Sequence, residues 1–143
     1  IIVPRHPERF DKVHRLLEDF AKNKLLTYHR YSNQNDFESD IILLDVMGEL
    51  NNVYAISDLV ILGGAFEKVG GHNPVEPAFF NCAIISGENY FNQKPLFECI
   101  NNYTIVKNDE LKEVLKSAKI LKSSSLKEIG DINPIIKEIN GTR

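Results

Sequence analysis

Between an apolar strand and an apolar helix, the chain carries Gly63-Gly64-Ala65-Phe66-Glu67-Lys68-Val69-Gly70-Gly71-His72-Asn73-Pro74-Val75-Glu76-Pro77. Two glycine pairs followed by a carboxylate between prolines are the parts of a nucleotide pocket. Glycine lets the backbone turn through positive φ and approach a ligand without a Cβ, so that N–H groups can face anionic oxygens. Two registers are open for the end of this stretch. In one, Asn73 is an N-cap, Pro74 the first helical residue and Glu76 the third-position partner of a capping box, with no ligand needed. Pro77 opposes that register by removing a helical hydrogen bond. In the other, Pro77 opens the helix and the Glu76 carboxylate is free to accept from two neighbouring hydroxyls, as a ribose diol offers. His72 is read as a loop-shaping or substrate-contacting residue.

Two further groups of residues follow strands. In Pro4-Arg5-His6-Pro7 the prolines stiffen the backbone so that the Arg5 guanidinium can be aimed, and its planar fork of donors suits phosphate. The alternative is a surface arginine paired with a nearby acid. In Met47-Gly48-Glu49-Leu50 a helix start containing glycine offers free N–H groups to an anion or a base edge. Here Glu49 could equally do no more than stabilise its own helix.

The elements that must position these groups alternate. Ile1–Val3 reads as a buried strand entered midway, which suggests a piece of a longer protein. An amphipathic helix follows from Pro7 to about Lys22, with Phe10, Val13, Leu16, Leu17 and Phe20 at helical spacing. Further strands are expected at Leu25–His29, Ile41–Leu44, Leu59–Leu62, Ala83–Ser86 and Tyr103–Val106, the run at Leu59 being apolar enough for burial on both faces. Helices are expected to about Ile56, from Val75 to Phe80, over Phe91–Ile100 interrupted by Pro95, over Asp109–Lys119, and from Leu126 to Ile139 broken by Pro134. Alternating strands and helices predict an α/β fold, a Rossmann-like parallel sheet with helices on both faces. Ligands bind such folds at the carboxyl ends of the strands, where all three groups of residues lie.

With 143 residues, 43% hydrophobic and 26% charged, the chain fits one globular domain spanning residues 1–143. A net charge of −3 with dispersed lysines provides no footprint for a nucleic-acid polymer. No apolar run approaches the roughly 20 residues that span a bilayer. Cys82 and Cys99 lack metal-ligand spacing and read as reduced core or near-core thiols, and His6, His14, His29 and His72 share no zinc-type spacing. No Asp-x-Asp metal motif accompanies the glycine-rich loop, and no metal or other cofactor is expected. A dinucleotide oxidoreductase would need a strand-linked G-x-G-x-x-G with an acid about 20 residues on, and this chain lacks it. A non-catalytic regulatory or partner-binding α/β domain remains an alternative, as does a different nucleotide-sugar enzyme of the two-domain GT-B architecture.

PRHPERF at Pro4–Phe10, MGEL at Met47–Leu50 and GGAFEKVGGHNPVEPA at Gly63–Ala78 occur in an order and spacing similar to the carboxyl-terminal half of the 3-deoxy-D-manno-octulosonic acid (Kdo) transferases of lipid A biosynthesis. Gly87–Asn92, ending in Phe91-Asn92, resembles the same family's next loop, so the likeness covers about residues 1–100. It implies one half of a GT-B glycosyltransferase, with CMP-Kdo held as donor substrate. By position, Pro4 and Arg5 would line the cytidine monophosphate site, Met47, Gly48 and Glu49 would add contacts from a helix start, and Asn73, Pro74, Val75 and Glu76 would hold the ribose and its neighbouring atoms.

The resemblance also implies what lies outside this chain. The general base, the acceptor site for the lipid A precursor (lipid IVA) and the membrane contact belong to the amino-terminal half, so no catalytic residue is assigned here and the fragment is expected to bind CMP without transferring sugar. The full protein would work at the cytoplasmic face of the bacterial inner membrane, and the fragment itself would be soluble. The family's usual Thr, Ser and Arg are replaced here by Val46, Ala65 and Val69, which removes a hydroxyl or cationic contact at each position.

Overall fold

A computed structural model of the chain describes residues 1–127, and the chain divides into two compact units, one from Ile1 to Val53 and one from Tyr54 onward. In the first unit, β1 (Tyr28–Arg30) and β2 (Ile41–Leu43) pair in parallel with His29 opposite Ile42. Ile2 forms a parallel bridge to Leu43: its N–H donates to the Ile42 carbonyl at 2.8 Å, and the Leu44 N–H donates to the Ile2 carbonyl at 2.9 Å. The expected buried strand Ile1–Val3 is thus a single bridge with all three side chains exposed. A short apolar run reports strand propensity, and burial depends on what covers it.

Pro7 opens a 3₁₀ turn, Pro7–Arg9, which leads into α1, Phe10–Lys24. The helix ends at Leu25 in the left-handed conformation, φ 56°, with its N–H donating to the Ala21 and Lys22 carbonyls. This stop displaces the next strand from its predicted start at Leu25 to Tyr28. α2 spans Leu50–Ala55.

In the second unit, β3 (Leu59–Leu62), β4 (Ala83–Gly87) and β6 (Tyr103–Val106) form a parallel sheet in the order β3-β4-β6. The register sets Leu62, Ser86 and Ile105 side by side, and Val60 beside Ile84. That face joins Leu62 and Ile84 to Ala78, Phe97 and Ile100 in one core cluster. Phe97 packs between Tyr90, tilted at 55° with centroids 4.7 Å apart, and Tyr103, which it meets edge-on at 67° with centroids 4.9 Å apart. Its burial alone contributes about 1.5–3 kcal/mol. β4, buried at every residue, is paired on both sides, whereas among the described residues β3 pairs only with β4 and leaves Ile61 43% exposed. The expectation that Leu59–Leu62 is buried on both faces is therefore corrected, since an apolar run alone does not separate a central strand from an edge one.

α3 spans Val75–Phe79 and α4 Lys94–Glu98, where Pro95 lies in the first turn and opens the helix instead of interrupting it. β5 (Ile100–Asn101) pairs antiparallel with β7 (Ser125–Leu126), and α5 (Leu111–Lys116) precedes a 3₁₀ turn at Ala118–Ile120. The helix expected from Leu126 to Ile139 begins in β7 and otherwise falls outside the described residues. Cys82 is buried and donates its thiol to the Tyr54 carbonyl at 3.2 Å, but Cys99 is exposed, contrary to a core placement. Among the described residues no helix is long and apolar enough to cross a membrane.

Candidate functional site

In the first unit, Pro4 and Arg5 follow the Ile2 bridge, and Met47, Gly48 and Glu49 follow β2, its parallel neighbour. The topology thus brings both groups to the same carboxyl end. Arg5 is exposed, and among the described residues no acid pairs with it. Met47 is exposed, and Gly48 takes φ +91° with open space where a Cβ would stand. Glu49 immediately precedes α2, with one carboxylate oxygen accepting from Asn52 Nδ2 at 2.7 Å.

The sequence reading missed Asp45, which lies two residues beyond the end of β2. Its buried carboxylate accepts from the Ser32 N–H at 2.9 Å, the Ser32 hydroxyl at 2.6 Å and Arg30 Nε at 2.6 Å, while Arg30 Nη1 also reaches Asp11 at 2.9 Å. Burial pushes the Asp45 carboxyl upward, but the Ser32 donors and Arg30 outweigh it and hold the group below the usual carboxylate range. This carboxylate ties the end of β1 to the end of β2. A position just beyond the expected strand was the available signal, but its partners lie 13 and 15 residues away in the chain.

In the second unit, the glycines of the Gly63–Gly71 loop face protein. Gly64, at φ +78°, holds its Cα against the Gly70 carbonyl, leaving no room for a Cβ. Gly70, at φ +92°, would place a Cβ 2.7 Å from Asn92 Oδ1. The His72 ring lies over Gly63 and Gly64. The glycines therefore let the loop fold onto itself and onto its neighbour, a use that composition alone does not separate from a ligand cradle.

Asn73 Oδ1 accepts from the Val75 N–H at 2.9 Å, and Asn73 Nδ2 donates to Glu76 Oε1 at 3.1 Å. The register with Pro77 opening the helix is not found, while the Asn73 bond to the Val75 N–H and the αR backbone of Pro74 follow the register in which Asn73 caps, with the regular helix starting one residue later. Pro74 occupies the cap position, α3 begins at Val75, and Pro77 is its third residue, where no helical hydrogen bond is due; the first falls one residue later, from the Ala78 N–H to the Pro74 carbonyl at 3.2 Å. Pro74 is buried, Val75 half-buried and Glu76 exposed. The Tyr54 phenol is pushed up to about 12 by burial and then by the Glu76 and Cys82 charges, which puts Glu76 in electrostatic reach of a buried ring. Among the described residues no group of three His, Cys, Asp or Glu side chains is gathered to hold a metal ion.

Parallel sheets flanked by helices, with loops after the strands carrying anion- and hydroxyl-binding residue types, define a Rossmann-like α/β domain of the class that binds ligands at the carboxyl ends of its strands. No model of a known protein family matches the chain. It is 43% identical over 101 residues to the 3-deoxy-D-manno-octulosonic acid transferase of Haemophilus influenzae, covering 70% of this chain and 23% of that protein. It is 33% identical over 139 residues to the transferase of the same name from Rickettsia typhi, covering 90% of this chain and 29% of that one. Among solved structures it superposes on the C-terminal CMP-Kdo binding domain of WaaA from Acinetobacter baumannii with a TM-score of 0.68 and 30% identity, covering 82% of this chain and 63% of that one. The chain belongs with the 3-deoxy-D-manno-octulosonic acid transferases, as a relative of their carboxyl-terminal part. It spans about a quarter of the length of these curated relatives.

Proposed function

We propose that residues 1–143 act as one domain that holds CMP-Kdo for a Kdo transferase. The observation that carries this reading is the likeness to a CMP-Kdo binding domain over 82% of the chain. Pro4 and Arg5 line the cytidine monophosphate site, Met47, Gly48 and Glu49 add contacts from the loop before α2, and Asn73 to Glu76 take the ribose. Arg5, exposed and without an acidic partner among the described residues, is open to a phosphate.

In the transfer reaction an acceptor hydroxyl attacks the anomeric carbon of Kdo, the bond from that carbon to the CMP phosphate oxygen breaks, and CMP leaves with both bonding electrons. The phosphate gains negative charge as the bond breaks, and a guanidinium placed there stabilises it. The proton of the attacking hydroxyl goes to a base outside this chain, and no metal is needed. The acceptor is a lipid A precursor bound by an amino-terminal domain at the cytoplasmic face of the inner membrane, so this chain alone binds CMP and transfers nothing.

Titration of isotopically labelled chain with CMP, UMP and AMP tests the reading. CMP should shift amides at Arg5, Met47–Glu49 and Asn73–Glu76 at lower concentration than the other two nucleotides. Equal responses to all three would remove donor specificity, and no response to any would favour a partner-binding domain in which Asn73 and Glu76 only shape the start of α3.

A further inference from the structure

We infer that Asn92 is a positioning residue that sets the Gly70–Glu76 arm for donor binding; the assignment rests on the proposed CMP-Kdo reading. Its carboxamide meets both backbone groups of Gly71: the Gly71 N–H donates to Asn92 Oδ1 at 2.7 Å, and Asn92 Nδ2 donates to the Gly71 carbonyl at 3.1 Å. A neighbouring strand residue would make the same pair of bonds, so a side chain here stands in for a strand. Gly70 keeps the space open, because a Cβ there would collide with the carboxamide.

The other end of the loop is held from the same segment. The Asn89 N–H and Asn89 Nδ2 both donate to the Ala65 carbonyl, at 2.9 and 3.2 Å. The loop after β4 thus grips the glycine-rich loop at Ala65 and at Gly71, leaving Glu67, Lys68 and Val69 exposed between them. Only the Gly71 grip is next to His72 and the Asn73–Glu76 residues assigned to the ribose. With Gly71 fixed in both of its hydrogen-bonding directions, the chain enters His72 from one orientation, and the Asn73 bonds to Val75 and Glu76 then follow over four residues. Without that grip the arm samples several entries, and nucleotide binding must select one of them.

The test uses the whole chain as Asn92→Ala, Asn92→Asp and Asn89→Ala, with core folding checked by amide protection at Ile84 and Ile85. Asn92→Ala should speed Gly71 amide exchange by about tenfold, shift the His72–Glu76 amides, and weaken CMP by about tenfold. Asn92→Asp keeps the acceptor and should restore slow Gly71 exchange, a rescue that a general loss of stability would not give. Asn89→Ala should leave the His72–Glu76 amides and the CMP affinity within about twofold of the parent.

Parent-like His72–Glu76 amides and CMP affinity in Asn92→Ala would overturn the assignment, as would equal Gly71 exchange in the Asp and Ala variants. If Asn92→Ala loses core protection, Asn92→Asp carries the comparison: slow Gly71 exchange with parent-like His72–Glu76 amides supports the assignment, and fast exchange overturns it. If the parent ignores CMP altogether, the donor reading fails, while the amide comparison still decides whether Asn92 sets the arm.

Discussion

Arg30 Nε meets the buried Asp45 carboxylate at 2.6 Å, and the same arginine reaches the exposed Asp11 at 2.9 Å. One guanidinium therefore links α1, the end of β1 and the end of β2, directly before Val46 and Met47. Asp45→Asn should cost about 1–3 kcal/mol in urea denaturation, less than the removal of one partner from a fully buried pair because Arg30 keeps Asp11 and partial access to water.

The same pair sets a pH dependence. Asp45 titrates below its unfolded value, so its contribution is fully present above the ordinary carboxylate range and is lost as pH falls through the folded value. As pH falls below the ordinary carboxylate value of about 4, the parent should lose stability more steeply than Asp45→Asn. Urea midpoints measured across that range check it, and parallel curves would mean that Asp45 contributes no charge-dependent stability.

Gly48 and Gly64 separate backbone strain from steric exclusion. Both have positive φ, but a Cβ at Gly48 meets nothing within 4 Å, whereas at Gly64 it meets the Gly70 backbone. Gly48→Ala should cost about 1 kcal/mol from conformation alone. Gly64→Ala should cost more, about 2–4 kcal/mol, because backbone must also move. Equal thermal shifts would mean that the loop yields freely at Gly64.

Glu76→Ala distinguishes ribose binding from local structure. Its carboxylate holds only the Asn73 amide among the described residues, so stability should change by less than about 1 kcal/mol. CMP affinity should fall by about 1–3 kcal/mol, with a smaller loss for 2′-deoxy-CMP, which offers one hydroxyl fewer. Unchanged affinity together with lowered stability would assign Glu76 to the start of α3 alone.

Arg5→Ala should act on the phosphate. The parent should bind CMP more tightly than cytidine and lose part of that preference with added salt. The variant should bind the two within about threefold of each other, with cytidine affinity unchanged, as expected for loss of one charge-assisted contact. Calorimetric titration with both ligands checks this, and a retained preference would place the phosphate elsewhere.

Strand and helix order was legible because burial imposes periodicity on each element, and β3 and β6 match their predicted bounds. Pro4-Arg5 and Met47-Gly48-Glu49 were legible as strand-end groups because parallel pairing in the first unit places the residues after both strands at one end. Which strand is central, which prolines open a helix and where α3 starts were not legible, since each depends on partners distant in sequence. Ile61 illustrates this: its neighbours Val60 and Leu62 are more apolar than Ile84 and Ser86 beside Ile85, yet of the two, among the described residues, Ile85 is the one with a paired strand on both sides.

The sequence by itself determined the alternating α/β pattern, the residue types on the loops after the strands and the family likeness, because these depend on local propensity and on motif order. The tertiary structure decided what the glycines are for. Local sequence records that Gly64 and Gly70 can take positive φ, but only the folded chain places the Gly70 carbonyl and the Asn92 carboxamide in the spaces their missing side chains leave. It likewise decided that Asp45 is a buried hydrogen-bonded carboxylate, since its depressed titration depends on Ser32 and Arg30 arriving from another strand end.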